Sequence, residues 1–185
     1  MKTFKPFQRI SMKNNVYFTL FLLVAVFSSC AVEFEEKNIN DQFTMELPSY
    51  MIEMNLGVPS AALQYGSDEK EHYIVVMREN PTDLIAYGVT DLETYADSYI
   101  TAIKIAVDDA VVNRIGSGIE DKNGMQAITY EVDGVLPETG LGMYYYIQFY
   151  KSESALYYVC DWTMSDSRAE YLSDMKKITN SLKEL

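Results

Sequence analysis

The chain has 185 residues, with Lys+Arg 15 against Asp+Glu 27, a formal net charge of −12 and 48% hydrophobic residues. That is one domain's worth of chain with ample core material, and its acidity argues against nucleic acid, whose phosphates call for basic patches that are not visible here. One histidine and two cysteines give no disulfide framework and exclude the usual nucleophile–histidine triads.

Residues 1–29 carry Lys2, Lys5, Arg9 and Lys13 and no acidic residue. An apolar stretch from Val16 to Phe27, broken only by Thr19, is about 12 residues long. A spanning helix needs ~20 apolar residues, so the pattern is that of a secretory signal peptide. Met12 opens a more compact version of the same segment. Phe27-Ser28-Ser29-Cys30 resembles the lipobox of bacterial lipoproteins, with Phe27 where Leu is usual. The resemblance implies cleavage before Cys30 and diacylglycerol and palmitate on its thiol. It also implies a place in the bacterial cell envelope, on the outer membrane more than the inner, on its periplasmic or its surface side. Several acyl chains anchor firmly, because each buried methylene contributes ~0.8 kcal/mol and one chain alone is marginal. The alternative is an ordinary signal peptide whose Cys30 pairs with Cys160.

Removing the leader leaves 11 Lys+Arg against 27 Asp+Glu, which also disfavours charge-driven binding to anionic lipid heads. Residues 30–40 are short, acidic and polar and read as a tether. Glu33, Glu35 and Glu36 also resemble the acidic export signals of some surface lipoproteins. A single domain over residues 41–185 follows.

Phe43-Thr-Met-Glu-Leu47 alternates apolar and polar residues and stops at Pro48, as a strand does. Ser49 to Gly57 suggests a short helical turn. Ala61 to Tyr65 is a brief strand, Gly66 to Glu71 a hairpin loop, and His72 to Arg78 a β-branched, nearly continuous apolar strand suited to the sheet centre. Thr90-Asp-Leu-Glu93 has capping-box spacing with Thr90 as cap. It opens a helix with Leu92, Tyr95, Ala96, Tyr99, Ile103 and Ala106 on one face. Strands resume at Ala110 to Gly118 and at Met125 to Val132, around the hairpin signal Asn123-Gly124. A loop runs from Gly134 to Gly142. Met143 to Lys151 and Ala155 to Met164 pair across Ser152-Glu153-Ser154. A second capping box, Ser167-Arg-Ala-Glu170, opens a last helix with Leu172, Met175, Ile178 and Leu182 as its apolar face.

The order β-β-β-α-β-β-β-β-α predicts an α+β fold, with an antiparallel sheet of about six to seven strands and two main helices. Phe43-x-Met45-x-Leu47-Pro48, Tyr73-Ile-Val-Val76, Leu92-Glu-Thr-Tyr-Ala96, Tyr157-Tyr-Val159 and Ile178-Thr-Asn-Ser-Leu182 together resemble the PsbP-like superfamily. That superfamily includes a photosystem II subunit, a Ran-binding import factor and small bacterial proteins. Tyr50-Met51 stands where relatives often have Trp. The resemblance implies an α/β/α sandwich with helices on both faces of the sheet. Its motifs are core positions, so it speaks to fold and transfers no catalytic residue.

Candidate sites are few. Tyr144, Tyr146, Tyr150 and Tyr157 could form an aromatic recognition patch, or pack under the helices. Cys160 sits in an apolar run and reads as a core thiol. His72 has no Cys or His neighbour at metal spacing, so no metal and no cofactor is expected. The acidic pairs Asp108-Asp109, Glu120-Asp121 and Glu69/Glu71 read as solvated charge, with weak Ca²⁺ binding the alternative. Leu136-Pro-Glu-Thr-Gly140 spells a sortase signal but lacks the apolar segment and basic tail that must follow it, so it reads as a turn. Gly116-Ser-Gly118 marks a strand bend. The expected function is a non-enzymatic, lipid-anchored binding or assembly module with an unknown protein or small-ligand partner. A carboxylate-based hydrolase is the rival.

Overall fold

The computed structural model describes residues 32–185; the leader expected over 1–29, Cys30 and Ala31 lie outside the described residues. Ten strands and three α-helices follow in order: β1 (Phe34–Ile39), β2 (Phe43–Pro48), β3 (Ile52–Glu53), β4 (Leu63–Ser67), β5 (His72–Glu79), α1 (Pro81–Leu84), α2 (Leu92–Ala106), β6 (Asp108–Lys122), β7 (Met125–Val135), β8 (Gly142–Lys151), β9 (Leu156–Met164), α3 (Arg168–Asn180) and β10 (Lys183–Glu184). The class is α+β, as expected. A seven-stranded sheet runs in the order β3-β4-β5-β9-β8-β7-β6, and a three-stranded sheet in the order β1-β2-β10. Every pairing is antiparallel.

The period-two pattern assigns each strand residue to one face of the large sheet. Across β5, β9 and β8, Val75 pairs with Cys160 and Cys160 with Ile147. These side chains share one face with Tyr158, Phe149 and Ile128, where α2 packs through Leu92, Tyr95, Ala96 and Ile100. Ile74, Val76, Tyr157, Val159 and Tyr150 take the other face. There β2 lays Phe43, Met45 and Leu47, all fully buried, beside Ile178 and Leu182 from the α3 end of the chain. Burying such a side chain stabilises by ~1.5–3 kcal/mol each. The small sheet and α3 together cover this face.

Several boundaries differ from the sequence reading, each for a local reason. Phe34–Ile39 is a strand paired with β2, not part of a tether. Its charged side chains point to solvent and hide the pattern, while Phe34 lies under the Lys177 ammonium. Ser49 to Gly57 holds no helical turn; a backbone bond from Met51 to Pro48 closes a turn and the chain extends into β3. Asp91, not Thr90, caps α2: its side chain accepts from the Thr94 backbone, and the Thr94 hydroxyl accepts from the Asp91 backbone. Glu93 instead forms a two-pronged ion pair with Arg114 on β6. At α3 the Ser167 side chain caps nothing. The expected loop at residues 134–142 is shorter, because β7 runs to Val135 and β8 starts at Gly142.

Other features fall where the pattern puts them. Asn123 and Gly124 form a two-residue turn, both with positive φ (55° and 80°), between the paired Lys122 and Met125. That is the backbone an Asn-Gly hairpin supplies. Gly116, at φ 82°, begins a register shift in β6 between Ile115 and Glu120. Leu136-Pro-Glu-Thr-Gly140 is the β7–β8 turn, closed by the Gly140 amide donating to the Leu136 carbonyl at 2.8 Å.

Candidate functional site

Of the two readings of Tyr144, Tyr146, Tyr150 and Tyr157, a recognition patch or packing under the helices, the structure shows the packing. Tyr144, Tyr146, Tyr150 and Tyr157 point to the face covered by α3 and the small sheet, and none is more than 4% exposed. Tyr150 donates to the Thr179 carbonyl at 2.7 Å, and Tyr157 to Glu184 at 2.9 Å. The reason is register. Even-numbered residues of β8 and odd-numbered residues of β9 share this covered face.

Their neighbours of opposite parity, Tyr145, Tyr158 and Trp162, turn the other way. That face is only partly covered. α2 lies over β7, β8 and the near end of β9, and beyond Tyr99 it leaves a cleft of about 450 Å³. The floor is Val75, Tyr145, Tyr158, Cys160 and Trp162, and the walls include Tyr99, Leu56 and Val58. Tyr99 stacks on Tyr158 with ring centroids 4.1 Å apart. Its hydroxyl, with that of Tyr95, donates to the Glu79 carboxylate at 2.9 and 2.5 Å. Glu79 thus ties α2, and with it Tyr99, to the end of β5. Volume and lining match small-ligand sites, which are concave and mostly apolar.

Among the described residues Cys160 is a free, buried thiol. Burial pushes it up to about 12, so it stays a thiol, as a core cysteine does. It belongs to the hydrophobic cluster under α2 and also floors the cleft. Burial likewise pushes the Tyr145 hydroxyl up to about 12 and the Tyr158 hydroxyl well above its ordinary value. The cleft lining is therefore uncharged at neutral pH.

His72 lies on the covered face and is fully buried and hydrogen-bonded at both ring nitrogens. With the imidazole neutral, the Tyr50 hydroxyl donates to Nδ1 at 2.7 Å, and Nε2–H donates to Asp161 Oδ1 at 2.7 Å. Tyr171 of α3 packs against the imidazole at 4.9 Å. Burial raises Asp161 above the usual carboxylate range, and His72 pulls it part of the way back. Asp161 Oδ2, Thr163 Oγ1 and the Tyr144 hydroxyl are buried and have no partner among the described residues. Tyr50, His72 and Asp161 thus form a hydrogen-bonded chain whose two inner members have no exposure, and burial holds the Tyr50 phenol protonated.

Among the described residues, no three His, Cys, Asp or Glu side chains converge as metal ligands do. The acidic pairs are scattered. Asp108 and Asp109 open β6, and Glu120 sits beside Lys122.

Sequence reasoning missed Tyr99, Tyr145, Trp162 and the aliphatic loop residues. The strand parity of Tyr145, Tyr158 and Trp162 was readable; which parity α2 would leave open was not.

No family model and no curated protein matches the chain. Solved structures do. Cyanobacterial PsbP from Synechocystis sp. PCC 6803 aligns over 85% of this chain and 96% of its own, at 12% identity and a TM-score of 0.61. The Saccharomyces cerevisiae Ran-binding protein Mog1p aligns over 82% and 95%, at 10% identity and a TM-score of 0.53. The fold is PsbP-like. At these identities the likeness is one of fold.

Proposed function

We propose that this chain is a non-enzymatic binding module of the bacterial cell envelope, held to the outer membrane by lipid on Cys30. Residues 1–29 serve as its lipoprotein signal peptide. Residues 30–33 are its tether and Phe34–Leu185 its single PsbP-like domain, the compact unit. The observation that carries the reading is the uncovered apolar cleft between α2 and the residue 54–62 segment. A concave, mostly apolar cleft of this volume is the usual form of a small-ligand site. Mog1p carries the description Ran-binding, so a partner-binding role has precedent on this fold.

The hydrolase alternative finds less support. His72 and Asp161 are fully buried on the face opposite the cleft, so a ligand held there meets neither.

Two experiments test the reading. Palmitate labelling should be present in the wild type and absent in Cys30→Ser; equal labelling removes the anchor. Crosslinking from intact membranes should recover a bound species with the wild type and lose it with Val58→Glu. Equal recovery removes the cleft as the binding site.

A further inference from the structure

We infer that the open-face cleft takes one acyl chain of a lipid whose headgroup is uncharged or zwitterionic. This rests on the reading of the cleft as a binding site and names its occupant.

The lining decides the class. It is aliphatic and aromatic, and its only titratable groups, the Cys160 thiol and three phenols, are neutral at physiological pH. A charged group entering it would lose its water with no counter-charge to meet it. A peptide would bring amide N–H and C=O groups against a wall with almost no partners for them. A hydrocarbon chain makes neither demand. Met77 and Met143, both in the lining, have flexible thioether side chains that adapt to an irregular or sliding occupant.

Two residues of the floor and the charge of the chain bear on the headgroup. Tyr145 and Trp162 are half-buried, each with an apolar body and a polar tip, the arrangement favoured where apolar surface meets water. Their polar tips offer hydrogen-bond partners to an ester linkage. Without its leader the chain carries 11 Lys+Arg against 27 Asp+Glu, and such a field repels a free carboxylate or an anionic phospholipid head. The chain of a neutral glyceride or of a zwitterionic phospholipid meets no such barrier.

Trp162 is the single tryptophan of the sequence, so the site carries its own reporter. The full chain with Cys30→Ser, which has no attached lipid to compete, is titrated with monoacylglycerols brominated at mid-chain. Bromine within contact range quenches indole fluorescence. Saturable quenching at one equivalent is expected. Affinity should rise about fourfold per added methylene until the cleft is full, and then level off. Leu56→Glu and Val58→Glu, both on the loop wall and partly exposed, should each weaken binding tenfold or more with an unchanged circular dichroism spectrum. Non-saturable quenching, affinity independent of chain length, or full binding by both variants overturns the inference. Equal affinity for the brominated fatty acid anion overturns its headgroup part. If monoacylglycerols fail while Val58→Glu still abolishes membrane crosslinking, the lipid is wrong and the cleft reading survives. If neither probe responds to Val58→Glu, both fall.

Discussion

The two faces of the seven-stranded sheet are built from the same aromatic vocabulary and put to opposite uses. On one, Tyr144, Tyr146, Tyr150 and Tyr157 lie beneath α3 and the small sheet. On the other, Tyr145, Tyr158 and Trp162 lie partly open beyond the end of α2. Consecutive residues of β8 serve both. The difference is one of cover, not composition. Two elements close the first face, and one 15-residue helix is too short to close the second.

The largest break in that comparison belongs to the closed face. Phe43→Ala removes a fully buried ring packed edge-on against Tyr157 at 5.6 Å. About 3–5 kcal/mol should be lost, read from the denaturant midpoint. Next, Asp161→Ala strands the buried His72 Nε2–H and should cost about 3 kcal/mol. Asp161→Asn keeps an acceptor there and isolates the charge. The native carboxyl is raised, so folding favours its protonated form. The wild type therefore loses stability as pH climbs from the ordinary carboxylate value through the raised one. The stability of Asp161→Asn relative to wild type should grow from acid to neutral pH. A flat or shrinking difference would remove the burial account.

On the open face the effects shrink. Tyr99→Phe deletes one of two phenol bonds to Glu79, at about 1 kcal/mol, and should loosen ligand more than fold. Leu56→Lys, on a partly exposed wall, should change stability by less than ~0.5 kcal/mol while reducing capture. A large destabilisation there would mean the loop belongs to the core, and the contrast between the faces would fail.

Much of the fold was legible because it rests on local signals. Alternation marked β2 and β7, Asn123-Gly124 marked a hairpin, and helical spacing marked α2 and α3. What failed was set by partners that no spacing rule points to. β1 is polar on most of its length and becomes a strand only because β2 is beside it. Glu93 has capping-box spacing but is drawn to Arg114 on β6. The tyrosine patch failed by one step of parity. The strands tell which residues share a face, and nothing in them tells how far a helix reaches across it. For His72 the sequence showed only that no Cys or His neighbour stands at metal spacing. Its partner Asp161 is 89 positions away, beyond the reach of any spacing rule.

The β1–β2 hairpin has a mechanical side. Phe34 and Pro48 face each other at its open end. Tension arriving through the chain before Phe34 would fall on that single rung, then on the next, unzipping the pair instead of shearing it. β1 contributes no fully buried side chain, so peeling it leaves the main core intact. The released strand adds roughly 20 Å of reach at ~3.4 Å per residue. A pull of that kind would lengthen the chain by this reach before it met the fully buried side chains of β2.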